Sequence, residues 1–274
     1  AKCLCFFFRW YGKMAIFVPY MLEKIRGIVL KTIKYGDSSL IVDVFTESHG
    51  RMSFITAISH ARHSSSHVFW RVLNQVEFSA EVRSVTRLPR PKDVRMYYNY
   101  TSLPYDPVKS SLALFVADFL CGVLRGNIDN ALLYKYSEMS LRWLDMYDGA
   151  FNNRGVSNFH LVFLMRVTRF LGIYPNLDGS SDIFDRRRDV RNMYFDLLAG
   201  EYTYSLPSHR HFLMPDEACK MPLLFRMDYG TMRVVRFNRK QRVRCLEVLM
   251  EYYRLHVPQF PVLKSLDVLA ELFD

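Results

Sequence analysis

Three histidines have a spacing that suits metal binding. His60, His63 and His67 lie three and four residues apart, and on a helix this interval places imidazoles on one face, where they can share a metal ion. The serines between them favour a loop instead, and no carboxylate or thiol stands close in sequence to complete a site. We therefore predict a solvated loop and no metal here, and the same for His209 and His211.

The cysteines do not suggest a metal site either. The chain has five, an odd number, and none forms the CxxC pair that provides half of a zinc site: Cys3, Cys5, Cys121, Cys219 and Cys245. The sequence also lacks a phosphate-binding loop, a dinucleotide fingerprint and the HExxH and GxSxG motifs. We expect reduced thiols, no cofactor, no catalytic residues and a protein that is not an enzyme.

Positive charge is the chemical feature with the clearest meaning. The 37 lysines and arginines exceed the 27 aspartates and glutamates, which leaves a formal net charge of +10. Such a balance favours an anionic partner, either a nucleic acid or an anionic membrane surface. The longest apolar runs are too short and too interrupted to cross a bilayer, so we predict no membrane-spanning helix.

The cations fall in two groups along the chain. In the first hundred residues they are interleaved with aromatic side chains, which can stack on bases while the cations hold phosphates. The interleaved aromatic residues are Tyr35, Phe54, Phe69, Trp70, Tyr97 and Tyr98, and many of them must fill the core of so small a barrel instead. The candidate DNA contacts of both groups are Lys31, Lys34, Arg51, Arg87, Arg90, Lys92, Arg187 and Arg188. A solvated helix face is the alternative interpretation of the second group.

The first group must be positioned by β-strands. Between residues 26 and 100 apolar residues recur at every second position, and many are β-branched or aromatic. Five strands are predicted, at about 25–34, 40–44, 51–58, 76–83 and 94–100, and the fourth has Phe78 facing inward and Glu77 facing solvent. Five short antiparallel strands fit an OB-type barrel, which often binds oligonucleotides on one face. An SH3-like barrel fits the strand count nearly as well.

The second group belongs to a helical region. After residues 101–107 the apolar period becomes 3.6, which predicts helices near 108–124, 132–144, 159–170, 187–198, 238–256 and 262–273. The fold class is therefore α+β with several domains. It has an N-terminal five-stranded OB-type β-barrel at 21–102 and an all-α helical domain at 103–274. Residues 1–20 are interpreted as a poorly ordered extension, with a short amphipathic membrane anchor as the alternative.

Several motifs resemble the RecO family of bacterial recombination mediators. That family opens with a strand, Tyr-Gly-Glu-x-Ser-x-Leu, a second strand ending in Phe-Thr, and His-Gly-Arg. The corresponding residues here are Tyr35–Leu40 (YGDSSL), Phe45–Thr46 and His49–Arg51. Residues 159–175 look like the family's third long helix with its Leu-Gly-x-x-Pro exit, and residues 263–269 look like its C-terminal helix. In order, these matches cover the chain from about residue 21 to the end.

The chain departs from this family at two places. Many RecO-like proteins carry a four-cysteine zinc site after the third helix, but residues 176–181 contain no cysteine, so the metal is expected to be missing. The family's Lys-Gly-Ala-Arg after the third strand is replaced by Ser59-His60-Ala61-Arg62. Arg62 is therefore carried over as a DNA-binding residue, whereas the lysine has no counterpart.

The resemblance implies a non-enzymatic DNA repair protein of the cytoplasm, associated with the nucleoid. Its barrel and helical domain would bind single- and double-stranded DNA, anneal complementary strands and help load recombinase on protein-coated single strands. The implied protein partners are a RecR-like protein and the acidic tail of single-strand-binding protein. Two other classes stay open: an adaptor that binds partner tails without nucleic acid, and a hydrolase or nuclease with an unfamiliar site.

Overall fold

The computed structural model describes residues 10–11, 14–15, 22–57, 66–82, 87–124, 130–148, 156–176 and 190–272. The chain divides into two units. The first contains the described parts of residues 10–99 together with 130–134, and the second contains residues 100–124 and the described parts of 135–272. Within the predicted N-terminal extension, Trp10–Tyr11 (β1) and Met14–Ala15 (β2) pair as two short antiparallel strands. The rest of residues 1–20 lies outside the described residues.

The first unit is built on a five-stranded antiparallel sheet. Its strands are β3 (Glu23–Tyr35), β4 (Ser39–Thr46), β5 (Gly50–Ala57), β6 (Gln75–Ala80) and β7 (Lys92–Tyr98), and a short helix, α1 (Ser66–Phe69), precedes β6. The order across the sheet is β5-β4-β3-β6-β7. The amide of Ile55 donates to the carbonyl of Pro89 at 3.1 Å, so β5 at one end of the sheet meets the segment that leads into β7. The predicted OB-type barrel is confirmed.

The barrel core follows from the period of two along each strand. Phe54 on β5 and Phe78 on β6 are fully buried, and their rings pack edge to face with centroids 4.9 Å apart. Trp70 is also buried and packs against Phe78 at 5.6 Å. Because Phe54 and Trp70 are core residues, neither is available to stack on a base.

Two glycines explain the spacing of the N-terminal motif. Gly36, in the turn between β3 and β4, has a φ of +63°, and Gly50, at the turn between β4 and β5, has a φ of +65°. Residues with a Cβ avoid these left-handed angles, so glycine is favoured at both turns. The motif therefore marks the two turns that set the register of the first three strands of the sheet.

The second unit is mainly helical. Its helices are α2 (Pro107–Val123), α3 (Ala131–Met146, whose first four residues belong to the first unit), α4 (Phe159–Phe170), α5 (Pro215–Ala218), α6 (Met221–Arg226), α7 (Arg239–His256) and α8 (Ser265–Leu272). Asp106 caps α2 by accepting hydrogen bonds from the amides of Val108 and Lys109. Phe119 on α2 packs edge to face on Tyr253 of α7, with ring centroids 4.8 Å apart. Over the described ranges, no helix is long and apolar enough to cross a membrane.

The helix predicted near 187–198 is wrong where the structure describes it. Tyr194–Asp196 (β8) forms a strand between Glu201–Thr203 (β9) and Phe212–Leu213 (β10), after a 3₁₀ turn at Val190–Asn192. Within this stretch every second side chain, at positions 193, 195 and 197, is buried. That period of two is typical of a strand, and a search for helical spacing misses it because the strand is only three residues long.

Candidate nucleic-acid interface

Most of the predicted DNA contacts that the structure describes are exposed. Lys31 and Lys34 lie on the second half of β3, Arg87 and Arg90 lie in the segment before β7, and Lys92 is its first residue. The other predicted contacts, apart from Arg51, lie outside the described residues: Arg62, Arg187 and Arg188. We call the five exposed residues the barrel cations.

Arg51 is held by a carboxylate on the barrel surface. Its Nη2 lies 2.6 Å from Oδ2 of Asp43, and the hydroxyl of Ser53 donates to Oδ1 of Asp43 at 2.6 Å. Burial by itself would raise the pKa of Asp43, but these two hydrogen bonds and the nearby positive charges lower it below its ordinary value. Asp43 therefore stays ionised and offsets the charge of Arg51, which makes Arg51 a weaker phosphate contact than the barrel cations.

An apolar row crosses the same part of the sheet. Ile33, Ile41 and Ile55 are directly opposite one another on β3, β4 and β5. Ile33 has 43% of its surface exposed, and the nearby Tyr35 has 59% exposed. Six aromatic residues were predicted as candidates for base stacking, and all six lie in the described part of the chain. Among them, only Tyr35 is largely exposed to solvent.

A second carboxylate on the barrel exterior gathers three cations, which the sequence did not predict. Glu77 on β6 was expected to face solvent, yet only 3% of its side chain is exposed. Its Oε1 lies 3.0 Å from Nζ of Lys24, and its Oε2 lies 3.0 Å from Nε of Arg26. Oε1 also accepts a hydrogen bond from Nε of Arg95 at 2.6 Å. The expectation was wrong because side chains from both neighbouring strands cover the carboxylate.

The three cations keep Glu77 ionised. Burial by itself would raise the pKa of Glu77, but hydrogen bonds from the cations lower it from an ordinary value of 4.5 to about 2. A carboxyl group whose pKa is lowered on folding stabilises the folded state above its unfolded pKa and loses this effect as pH falls toward the folded pKa. The contribution of Glu77 should therefore disappear between about pH 4.5 and pH 2.

This effect predicts a difference between the wild type and Glu77→Gln in acid. The variant cannot ionise at this position, so it should unfold at a lower temperature than the wild type at pH 6, and the difference should shrink as pH falls from 4.5 toward 2. Thermal unfolding of both proteins at several pH values is the measurement. Other carboxylates titrate in both proteins, so the difference between the two curves is the readout. Parallel curves would contradict the role assigned to Glu77.

The second unit contains an apolar pocket with a basic rim. Its volume is about 220 Å³, and α5, α6 and α7 contribute most of its lining. Leu224, Phe237 and Val248 form apolar walls, and Lys220 and Lys240 stand at the rim. Both lysine side chains are exposed and make no hydrogen bond or ion pair with other described residues. The pocket thus offers apolar surface and two available positive charges together.

Two of the described histidines lie against carboxylates. His209 lies 3.2 Å from Asp196 and His211 lies 2.8 Å from Glu251, so neither is a simple solvated loop residue. His67 lies in α1 rather than in a loop, whereas His60 and His63 fall outside the described residues. In the part of the chain that the structure describes, no group of three His, Cys, Asp or Glu side chains is arranged to hold a metal ion.

Comparison with known protein families agrees with this architecture. The family model "Recombination protein O N terminal" matches residues 21–100, and "Recombination protein O C terminal" matches residues 104–266. The chain belongs to the RecO family. It is similar to the DNA repair protein RecO of Phocaeicola vulgatus, with 46% identity over 92% of this chain and all of that protein. RecO of Bacteroides fragilis is 44% identical over 93% of this chain and all of its own length.

More distant RecO proteins match over the same extent. RecO of Porphyromonas gingivalis is 32% identical over 91% of this chain and 98% of its own length. Membership of the RecO family makes the chain a protein of DNA repair and recombination that is not an enzyme.

Proposed function

We propose that this RecO protein is a DNA-binding recombination mediator of the cytoplasm, associated with the nucleoid. It binds single- and double-stranded DNA, promotes annealing of complementary strands and helps load recombinase on protein-coated single strands during repair. The observation that carries this proposal is the OB-type barrel with its five exposed cations, in a chain matched along both units by RecO family models.

The proposed mechanism is non-catalytic. Lysine and arginine side chains replace condensed counterions along the DNA backbone, and release of those ions supplies affinity without reading the sequence. Exposed Tyr35 at the end of β3 supplies an aromatic face, which suits stacking of an unpaired base. Two strands gathered on one protein meet more often than free strands, and base pairing then provides the free energy of annealing.

The first test uses the full-length protein and a labelled single-stranded oligonucleotide. Fluorescence anisotropy across a salt series should show tight binding at low salt that weakens steeply as salt rises. Addition of the complementary strand in the same tube should give faster annealing than the strands show alone. If no binding occurs even at low salt, the mediator proposal fails, and the adaptor that binds partner tails becomes the better explanation.

We also propose that the pocket lined by α5, α6 and α7 holds the acidic tail of single-strand-binding protein. An acidic peptide with apolar side chains matches an apolar pocket whose rim carries Lys220 and Lys240. Arg244, on the same rim, is already paired with Glu217 at 2.7 Å, so the two lysines are the better contacts for an acidic peptide. A RecR-like protein is the other proposed partner, on the basis of family membership.

The tail proposal predicts a loss of peptide binding in Lys220→Gln/Lys240→Gln. Two exposed ion pairs contribute roughly 0.5–1 kcal/mol each, so a labelled tail peptide should bind about tenfold more weakly to this variant. The matched control is Arg254→Gln/Lys264→Gln, which removes the same charge from exposed positions outside the pocket. Equal affinity of the two variants would contradict the proposed site. DNA binding measured in parallel separates this result from the mediator proposal.

A further inference from the structure

A second group of cations lies on β3, β6 and β7. The strand register places Lys24, Ser79 and Lys92 side by side in one row, and Arg26, Glu77 and Arg95 in the next. We call these two rows the Glu77 face. Neighbouring strands lie about 4.8 Å apart, and Lys24 and Arg26 are alternate residues about 6.6 Å apart along β3. A register shift separates Lys92 from Arg95 on β7, so the four cations form a small cluster and not a regular grid.

Three of these cations are held in place by Glu77 and are nevertheless exposed to solvent. The exposed fractions of the Lys24, Arg26 and Arg95 side chains are 62%, 44% and 66%. Arg26 binds Glu77 through Nε, and its guanidinium also lies over the ring of Tyr97, with 4.4 Å from Cζ to the ring centroid. A side chain already held in place loses less rotamer entropy when it binds a ligand.

The charge on this face is not balanced by its own carboxylate. Four positive charges stand against the buried carboxylate of Glu77 and the exposed carboxylate of Asp93, which lies between Lys92 and Arg95 on β7. Of the carboxylates nearby, Glu47 acts on Arg26 only through its field, and Glu23 is paired with His49 at 2.8 Å. One cation is enough to neutralise a buried carboxylate, so a purely structural ion pair does not explain the excess.

The position of the face separates it from part of the barrel-cation surface. In the order β5-β4-β3-β6-β7, β6 and β7 lie on the opposite side of β3 from β4 and β5. In the strand register, Lys31 lies opposite Asp43 on β4, whereas Lys24 lies opposite Ser79 on β6. Because the sheet curves into a barrel, these two parts of its outer surface point in different directions.

We propose that the Glu77 face is a second DNA-backbone contact surface, in which Glu77 holds Lys24, Arg26 and Arg95 in place to bind phosphates. This inference rests on the proposed DNA binding and adds a surface to it. Two cationic sides on one barrel allow a bound strand, or two strands, to contact the protein on both sides of β3. Phosphate binding by such a face is independent of base sequence.

The test is the salt dependence of binding in Lys24→Gln/Arg95→Gln. Each phosphate contact to a single strand contributes roughly 0.7 to the slope of log affinity against log salt, so the slope should be smaller by about 1.4. The ligand is a labelled single strand of about 40 nucleotides, several times the site size of one OB-type barrel, so that it can reach both surfaces. Arg26 remains on Glu77 in this variant.

Two further variants distinguish a local loss of phosphate contacts from instability and from a change in net charge. Lys24→Gln leaves both arginines on Glu77 and should reduce the slope by about 0.7 even if the double variant is unstable. Arg254→Gln/Lys264→Gln removes the same net charge at exposed positions in the second unit and should keep the wild-type slope. The inference is overturned if this control lowers the slope as much as the double variant does, since the effect is then one of net charge.

The same experiment separates the inference from the proposed function. If the wild type binds with a steep slope and the slope is unchanged in folded Lys24→Gln and Lys24→Gln/Arg95→Gln, the Glu77 face is a structural ion cluster and DNA binding stands. If the wild type does not bind, the proposed function fails and this inference fails with it.

Discussion

Replacing all five barrel cations with glutamine is expected to weaken binding of single-stranded DNA about three-thousandfold at roughly 0.1 M salt. The residues are Lys31, Lys34, Arg87, Arg90 and Lys92. Each phosphate contact contributes roughly 0.7 to the slope of log affinity against log salt, so five contacts contribute about 3.5. Because roughly 0.1 M is one decade below 1 M salt, this slope corresponds to about 3.5 orders of magnitude in affinity. Fluorescence anisotropy in the intact protein measures this loss, and the slope itself should fall by about 3.5.

The control for this variant keeps the positive charge at all five positions and changes only the shape of the side chains. Exchanging lysine for arginine and arginine for lysine at the same five positions should leave the salt slope close to that of the wild type, because counterion release depends on charge. All five positions are exposed, so both variants should fold. A glutamine variant that binds as tightly as the wild type, with the same slope, would show that DNA does not contact these residues.

Replacing Asp145 with alanine is expected to lower the free energy of unfolding by about 3–4 kcal/mol. Asp145 is 2% exposed, and its carboxylate accepts hydrogen bonds from the amides of Ser102 at 2.8 Å and Leu103 at 2.7 Å. The amide of Thr101 adds a third, at 3.0 Å. Alanine would leave these donors without their acceptor in a partly buried turn, and denaturant unfolding measures the cost.

The surroundings of Asp145 increase the expected loss. Lys109 is also buried, with 6% exposed, and its Nζ donates to the main-chain carbonyl of Asp145 at 3.0 Å and to that of Tyr147 at 2.6 Å. Hydrogen bonds from the turn amides lower the pKa of Asp145 despite its burial, so the carboxylate is ionised near this buried ammonium. Removing the negative charge leaves the positive one with less compensation.

Two variants check the explanation for Asp145. Asp145→Asn keeps one acceptor oxygen but turns a donor toward the turn amides, so its loss should be intermediate. Asp216→Ala removes an exposed carboxylate from the same unit and should change stability by less than about 1 kcal/mol. If Asp145→Ala unfolds with the same free energy as the wild type, the turn at residues 101–103 does not depend on this carboxylate.

The elements that the sequence predicted well share a repeated pattern. The five barrel strands each have apolar residues at every second position on one face, and α2, α4 and α7 each repeat apolar residues at helical spacing over at least three turns. The short β8, β9 and β10 have two or three residues each, so their period was not detected. Pattern length decided which elements could be predicted.

The candidate interface was predicted by residue type but not by environment. The exposure of Lys31 on β3 follows from the sequence, because the alternating apolar residues of the barrel define the opposite face of the strand. The exposure of Arg87 and Arg90 follows from their place in the proline-containing segment before β7. The difference between Arg51 and Lys31 does not follow from it, since both look like outward-facing cations. The strand register places Lys31 directly opposite Asp43 and Arg51 opposite Phe45. Only the side-chain contact of 2.6 Å shows that Arg51 takes the carboxylate.

The sequence by itself determined the class of this protein: a basic, non-enzymatic chain with an OB-type barrel, helices after residue 103 and the motifs of the RecO family. Those properties depend on composition and on spacing along the chain. Only the tertiary structure decided that Glu77 is buried under Lys24, Arg26 and Arg95, since these residues come from three strands up to 71 positions apart. The burial of a charge depends on what the fold places over it, and strand pairing brings together residues that the linear pattern treats as independent.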